Sequence, residues 1–285
     1  MIYSLSFVSG IFRNRTGDIA NLYYLEIVPA GWTFSIWGFI YAWQAIWLIY
    51  SLATICRRKD GTYLYLMAVY PSALFVSFIF NNAFNIGWLF AWDRMKVAIA
   101  LPLIALTPFT LYICLFFSLK RLYDNLDALS KNGLNLDIWL IRMLIQNGLA
   151  LYAAWVTVAT LINVGVVMTY GDGSDITKTY VDQDVSSTVV LGIATVEILL
   201  WITLDLTILD NYTRYLFAPY ITLVVAFAGI VEKNYNLDTA YRNSVFSAVL
   251  LAVAVVCLIV KFTTMIYRHF KRPIQPLLGN FKPTV

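Results

Sequence analysis

Three short patterns in this chain set indoles, phenols and amides at helical spacing. Trp37 and Tyr41 lie four residues apart, with Phe34 beside them, in the run Val28 to Gln44, so they share one helix face. Asn81, Asn85 and Trp88 follow at spacings of four and three, and Trp155, Ala159 and Asn163 at four and four. Aromatic faces stack on apolar molecules, carboxamides fix orientation through hydrogen bonds, and a small residue leaves room. The chemistry open to such a set is recognition of an apolar or amphipathic small molecule. Each stripe also has a plainer reading. Indoles form belts at the headgroup level, and a small residue beside a tryptophan lets two helices approach closely.

Charged groups in the apolar runs are few. Glu197 lies roughly 11 residues into its run, about 16 Å deep at ~1.5 Å per residue. A carboxylate at that depth marks an ion or substrate path, or sits protonated between helices. The first reading makes the chain a proton- or ion-coupled transporter that uses Glu197. Asp205 and Arg142 are expected to pair near one surface, and Lys261 to snorkel to the headgroups. With one histidine, His269, no histidine-based metal site or triad can be built in the membrane. No phosphate-cradling glycine loop is present. The residues supply no acid, base or metal for ordinary catalysis and name no cofactor beyond a bound lipid.

The elements that must position these groups are set by composition. The chain has 285 residues, 60% hydrophobic and 13% charged, against about 25% charged in soluble domains. It is therefore an all-α polytopic membrane protein. Seven apolar runs are long enough to cross a bilayer, at about 33–56, 64–91, 97–118, 138–168, 187–209, 213–231 and 244–267. Met1–Ser9 is apolar but too short to span, and it reads as the stub of a further helix. Cys56, Cys114 and Cys257 fall in or beside spans, which predicts free thiols. The net charge of +4 is dispersed, so nucleic acid is not an expected partner. The expected partners are the lipid bilayer and an apolar small molecule, with a homodimer allowed.

Basic residues orient the chain. With the amino terminus outside, inner segments hold Arg57, Arg58, Lys59, Lys120, Arg121, Lys131, Arg214, Arg268, Lys271, Arg272 and Lys282. Fewer basic residues remain outside, so the carboxyl terminus is expected in the cytoplasm. Asn14-Arg15-Thr16 is then a glycosylation sequon on the outer side. Pro102 and Pro108 should kink their helix, and about 119–136 reads as an amphipathic surface helix. The acidic loop from Gly171 to Asp184 has a calcium-like look and reads by default as a solvated connector. The expected organisation is an outer segment at 1–31, a four-span bundle at 32–170, a loop at 171–186, a three-span extension at 187–267 and a basic tail at 268–285.

Pro29, Trp32, Trp37 and Tyr41, then Asn85 and Trp88, then Tyr152, Ala154, Trp155, Ala159, Thr160 and Asn163 resemble, in that order, motifs of the TspO family of tryptophan-rich sensory and translocator proteins. The resemblance covers about residues 22–168. It implies a five-helix bundle whose pocket takes tetrapyrrole-like ligands first and sterol-like ligands second. Carried over, that pocket is Trp37, Tyr41, Asn85, Trp88, Trp155 and Ala159, capped by the loop from Tyr23 to Trp32, with Pro29-Ala30-Gly31 as its hinge. The family's first helix is missing or reduced to Met1–Ser9, and three spans are added at the carboxyl end. Tyr170 has no lysine or arginine within five residues, so the sterol-recognition pattern of some members is absent. Some relatives are reported to alter bound porphyrin, the one sense in which the resemblance admits an enzymatic role. A seven-span receptor rests on span count alone.

Overall fold

The computed structural model describes residues 12–59, 61–67, 69–235 and 241–274. The expected stub at Met1–Ser9 and the tail beyond 274 lie outside the described residues. A short helix, α1 (Thr16–Leu22), leads through a 3-10 turn (Gly31–Ser35) into α2 (Ile36–Cys56). A small antiparallel turn pairs β1 (Arg58–Lys59) with β2 (Thr62–Tyr63), and α3 (Ser72–Asp93) and α4 (Val97–Asp124) follow. Then α5 (Leu126–Lys131) and α6 (Asn135–Leu140) run through a π-helical stretch (Ile141–Gln146) into α7 (Asn147–Tyr170). The rear half holds α8 (Gln183–Leu206), the single turn α9 (Asp210–Thr213), α10 (Ala218–Asn234) and α11 (Arg242–Lys271).

Helices dominate because hydrocarbon offers no water to backbone N–H and C=O groups, which must then be satisfied within each segment. Among the described residues, six helices are long and apolar enough to cross a membrane. Their outward faces are apolar, with Ile49, Ile79, Phe109, Val196 and Ile259 all exposed. Amides turn inward, and Asn81, Asn85, Asn147 and Asn163 are buried. The seventh run, expected at 213–231, is α10. Its 17 residues give about 25 Å at 1.5 Å each, just under a hydrocarbon core of about 30 Å. It still joins the two ends of the bundle. Phe217 and Ala218 N–H donate to Asn147 Oδ1 at 3.0 Å at one end, and Asn234 Nδ2 donates to Val28 O at 3.0 Å at the other.

Two boundaries differ from expectation for local reasons. The second span begins at Ser72 rather than 64, because Gly61 turns the hairpin at φ 81° and Pro71 keeps its predecessor out of the helical region. The surface helix expected over 119–136 is broken instead, part being the end of α4 and part α5, with Gly133 at φ 69° closing the latter.

The break at Pro108 is repaired by side chains. Pro108 has no N–H to offer the carbonyl of Ile104. Thr107 Oγ1 donates to that oxygen at 2.7 Å and Thr160 Oγ1, from α7, at 3.2 Å. In the π-helical stretch, Leu144 O accepts from Trp43 Nε1 at 3.0 Å and Arg142 O from Asn147 Nδ2 at 2.9 Å. Gly148 permits the Trp43 approach, since a Cβ there would lie 2.7 Å from the indole.

Helix α7 is the centre of the bundle and packs against α2, α4, α8 and α10, while α11 packs against α8 and α10. Asn147 joins front to rear, because its Nδ2 also donates to Tyr215 O at 2.8 Å. Replacing Asn147 with alanine strands two N–H groups and a carbonyl at the start of α10. We expect a loss of roughly 2–4 kcal/mol, read as a lower unfolding midpoint in detergent.

Candidate functional site

The three stripes converge on one cluster. Trp37 stacks on Tyr41 and Trp88 at centroid distances of 5.6 and 5.7 Å, and it meets the edges of Tyr152 and Trp155 at 6.1 and 6.3 Å. The stack continues from Trp88 to Trp92 at 6.0 Å. Asn85 Nδ2 donates to the Tyr41 hydroxyl at 2.9 Å, and Trp88 Nε1 donates to Asn163 Oδ1 at 3.4 Å. All six residues carried over from the resemblance therefore lie in or beside this cluster. They fill it largely with each other, since the free space beside Trp37, Trp88, Trp155 and Ala159 is about 40 Å³. Two buried polar atoms here, Trp155 Nε1 and Asn85 Oδ1, have no hydrogen-bond partner among the described residues. Such groups are uncommon in folded proteins and costly.

The segment above the cluster is a plug rather than a hinged lid. Tyr23, Leu25, Ile27 and Val28 are all buried. Tyr23 donates to Gly173 O at 2.8 Å, and Tyr170 donates to Tyr24 O at 2.9 Å. Burial, with the Asp172 carboxylate nearby, pushes the Tyr23 hydroxyl above its usual range, so it stays a donor. Glu26 joins the rear half through Asn243 Nδ2 at 2.6 Å, and Trp32 bonds to Glu232. Ala30 N–H donates to Gly229 O at 2.9 Å. A Cβ on Gly229 would collide with Thr33 Oγ1. The Pro29-Ala30-Gly31 turn is thus held against α10, and Gly229→Ala is expected to lift it. Faster amide exchange over residues 29–35 would report that.

The larger space lies on the other side of α7. A cavity of about 400 Å³ is bounded by α4, α7, α8 and α10, with Ile27 of the plug at one end. It exists because α8 makes no extended packing with α4 or α10. Ala150, Ala153 and Ala154 of α7 leave the room. Val158, Ile162 and Ile230 line both this cavity and the small space in the aromatic cluster, so a single layer of side chains separates the two. The polar groups at the larger cavity are Glu197, Trp201 and the pair Tyr112 and Thr157, whose oxygens lie 2.6 Å apart.

Glu197 is at the cavity edge, between lipid-facing Val196 and buried Ile198. No described residue hydrogen-bonds or ion-pairs with it. Asp205, two turns further along α8, is treated differently. Lys261 Nζ donates to its two oxygens at 2.8 and 2.7 Å, and the Tyr220 hydroxyl donates to it at 2.5 Å. This replaces the expected Asp205 to Arg142 pair, and Lys261 is buried rather than snorkelling. Arg142 lies instead over the rings of Trp139 and Tyr215, at 5.0 and 4.2 Å. Depth along the sequence places all three charges near one surface but does not say which helices meet there.

Two further expectations fall at the loop end of the bundle. Asn14 is half-buried, its backbone N–H donating to Asp93 Oδ1 at 2.9 Å and its Nδ2 to Asp93 O at 3.3 Å, with Thr16 of the sequon buried. In the acidic loop, the Ser174 N–H and hydroxyl donate to Asp172 Oδ1 at 3.0 and 2.7 Å and hold that carboxyl below its usual range. Asp175 makes the same turn with Thr177. These carboxylates are occupied by their own loop.

Comparison with known proteins gives one family. A family model described as "TSPO-like protein" matches residues 1–266, which takes in the rear helices as well as the front bundle. No curated protein and no solved structure matches the chain.

Proposed function

We propose that this chain, which belongs to the TSPO-like protein family, binds an apolar or amphipathic small molecule inside its helical bundle, for sensing or transport. The observation that carries the reading is the cavity of about 400 Å³ beside the aromatic cluster. Small-molecule sites run from about 300 to 1,000 Å³ and are apolar with a few placed polar groups. The aromatic cluster forms the wall behind that cavity. A planar tetrapyrrole lying among Trp37, Trp88 and Trp155 would need those rings to part, because about 40 Å³ is free there. The geometry therefore favours a ligand held between α7, α8 and α10, reaching toward Trp155 Nε1 and Asn85 Oδ1 only if Val158 and Ile162 give way.

The basic residues favour an amino terminus outside and a carboxyl terminus in the cytoplasm. In that orientation the plug closes the outer end of the bundle. Titrating the protein in detergent with a porphyrin and with a neutral apolar fluorophore, while following tryptophan emission, tests the reading. Saturable quenching by either supports it, and no saturable change with both counts against it. A porphyrin that quenches where the smaller fluorophore does not would move the site back to the aromatic cluster.

A further inference from the structure

We infer that the cavity between α7, α8 and α10 takes a lipophilic monocation, such as a hydrophobic amine or phosphonium, in exchange for a proton on Glu197. This rests on the ligand-binding reading and names the class of ligand. The first observation is a contrast within one helix. Asp205 and Glu197 both sit on α8 within an apolar run, and Asp205 is given Lys261 as a partner at 2.7 Å. Glu197 has no such partner among the described residues.

A carboxylate in a hydrocarbon setting must be neutralised, by a proton or by a cation held against it. Among the described residues, no lysine, arginine or histidine lines the cavity. The titratable group that faces Glu197 is Tyr112 on α4, while α7 presents Thr157 and α10 presents Pro219, Leu223, Phe227 and Ile230. On α11, which also packs against α8, Lys261 is already committed to Asp205. Any cation that takes the proton's place at Glu197 therefore comes from outside the protein.

The rest of the lining selects the kind of cation. Apart from Glu197, the Tyr112 and Thr157 hydroxyls and the Trp201 indole, every described lining side chain is apolar. A small hydrated ion would find too few oxygens to replace its water shell. An organic cation keeps its apolar body on Leu191, Leu223 and Phe227 and can set its charge over an aromatic face at Tyr112 or Trp201. An anionic ligand would find no basic group among the described lining residues to pair with. Tyr112 and Glu197 are both exposed, and α4 and α8 do not pack along each other, so the gap beside them opens toward the bilayer, where such amphiphiles concentrate.

The exchange balances. The protonated Glu197 carboxyl gives its proton to solvent as the cation enters, and the carboxylate and cation then form a neutral pair. Loss of the cation takes one proton back.

The test is equilibrium binding of tetraphenylphosphonium and of the neutral triphenylphosphine oxide to the full chain in lipid nanodiscs, from acidic to alkaline pH. Tetraphenylphosphonium affinity is expected to rise by about tenfold per pH unit over the range in which Glu197 holds a proton. One proton should be released per cation bound in weak buffer. Glu197→Gln, checked for an unchanged melting temperature, should lose the pH dependence and proton release. If that variant melts lower, wild-type proton release alone decides.

The inference is overturned if the phosphine oxide binds and the phosphonium does not, or if the phosphonium binds without pH dependence or proton release. In those cases the ligand-binding reading stands. If neither probe binds, both fall.

Discussion

Replacing Lys261 with methionine is expected to cost about 3–5 kcal/mol of stability, the penalty typical of breaking a buried ion pair from one side. Lys261 and Asp205 are both almost fully excluded from solvent. The ammonium is held by both carboxylate oxygens and by Thr213 O at 2.9 Å. Without it, Asp205 keeps, among the described residues, only the Tyr220 hydroxyl and an uncompensated charge in the interior. The double variant Lys261→Met with Asp205→Leu removes both charges and should recover most of the loss. Unfolding of the three proteins in the same detergent checks this. A single variant within about 1 kcal/mol of wild type would mean that Asp205 reaches water.

Ala154→Phe is expected to weaken ligand binding by at least about tenfold, or roughly 1.4 kcal/mol, while leaving stability nearly unchanged. Ala154 lines the cavity of about 400 Å³, so a phenyl ring can occupy existing space. The matching change in the aromatic cluster, Ala159→Phe, has about 40 Å³ to enter. It should overpack and destabilise by about 1–3 kcal/mol. Binding and melting measurements on the two variants separate the sites. Equal destabilisation by both would show that the larger space closes in the membrane.

Much of the fold was legible because the bilayer imposes long apolar runs. The inward faces were legible too, since an amide in hydrocarbon must find a partner. That reasoning turned Asn81, Asn85 and Trp88 toward the bundle, where Asn81 Nδ2 donates to Thr107 O at 2.9 Å and Asn85 to Tyr41. The family motifs located the aromatic cluster for the same reason, since stacked indoles leave a spacing that survives in sequence.

The larger cavity left no such trace. Its walls are mostly leucine, valine, isoleucine and alanine, which read identically whether they face lipid, another helix or empty space, and of its residues only Glu197 stood out in the sequence as a candidate site. That α8 stands away from α4 and α10 is a property of the whole bundle. The pairing of Asp205 with Lys261 was hidden likewise, because 56 residues separate them and depth alone does not choose between Lys261 and Arg142. Asn147 was missed although a signal existed. The polar run Gln146-Asn147-Gly148 interrupts a mostly apolar span, at the place where the π-helical stretch needs donors and α10 needs a cap. The plug at Tyr23 to Val28 could have been suspected from its apolar residues, but its burial depends on the rear loops that cover it.

On the proposed reading, ligand sits between α7, α8 and α10, beside the tryptophan cluster rather than within it. An experimental density map of the protein in lipid, with a saturating bound probe, tests this most directly. Density is predicted alongside Ala154, Glu197 and Trp201, with Trp37 still stacked on Trp88. Density wedged between Trp37, Trp88 and Trp155, with the larger space empty, would contradict it.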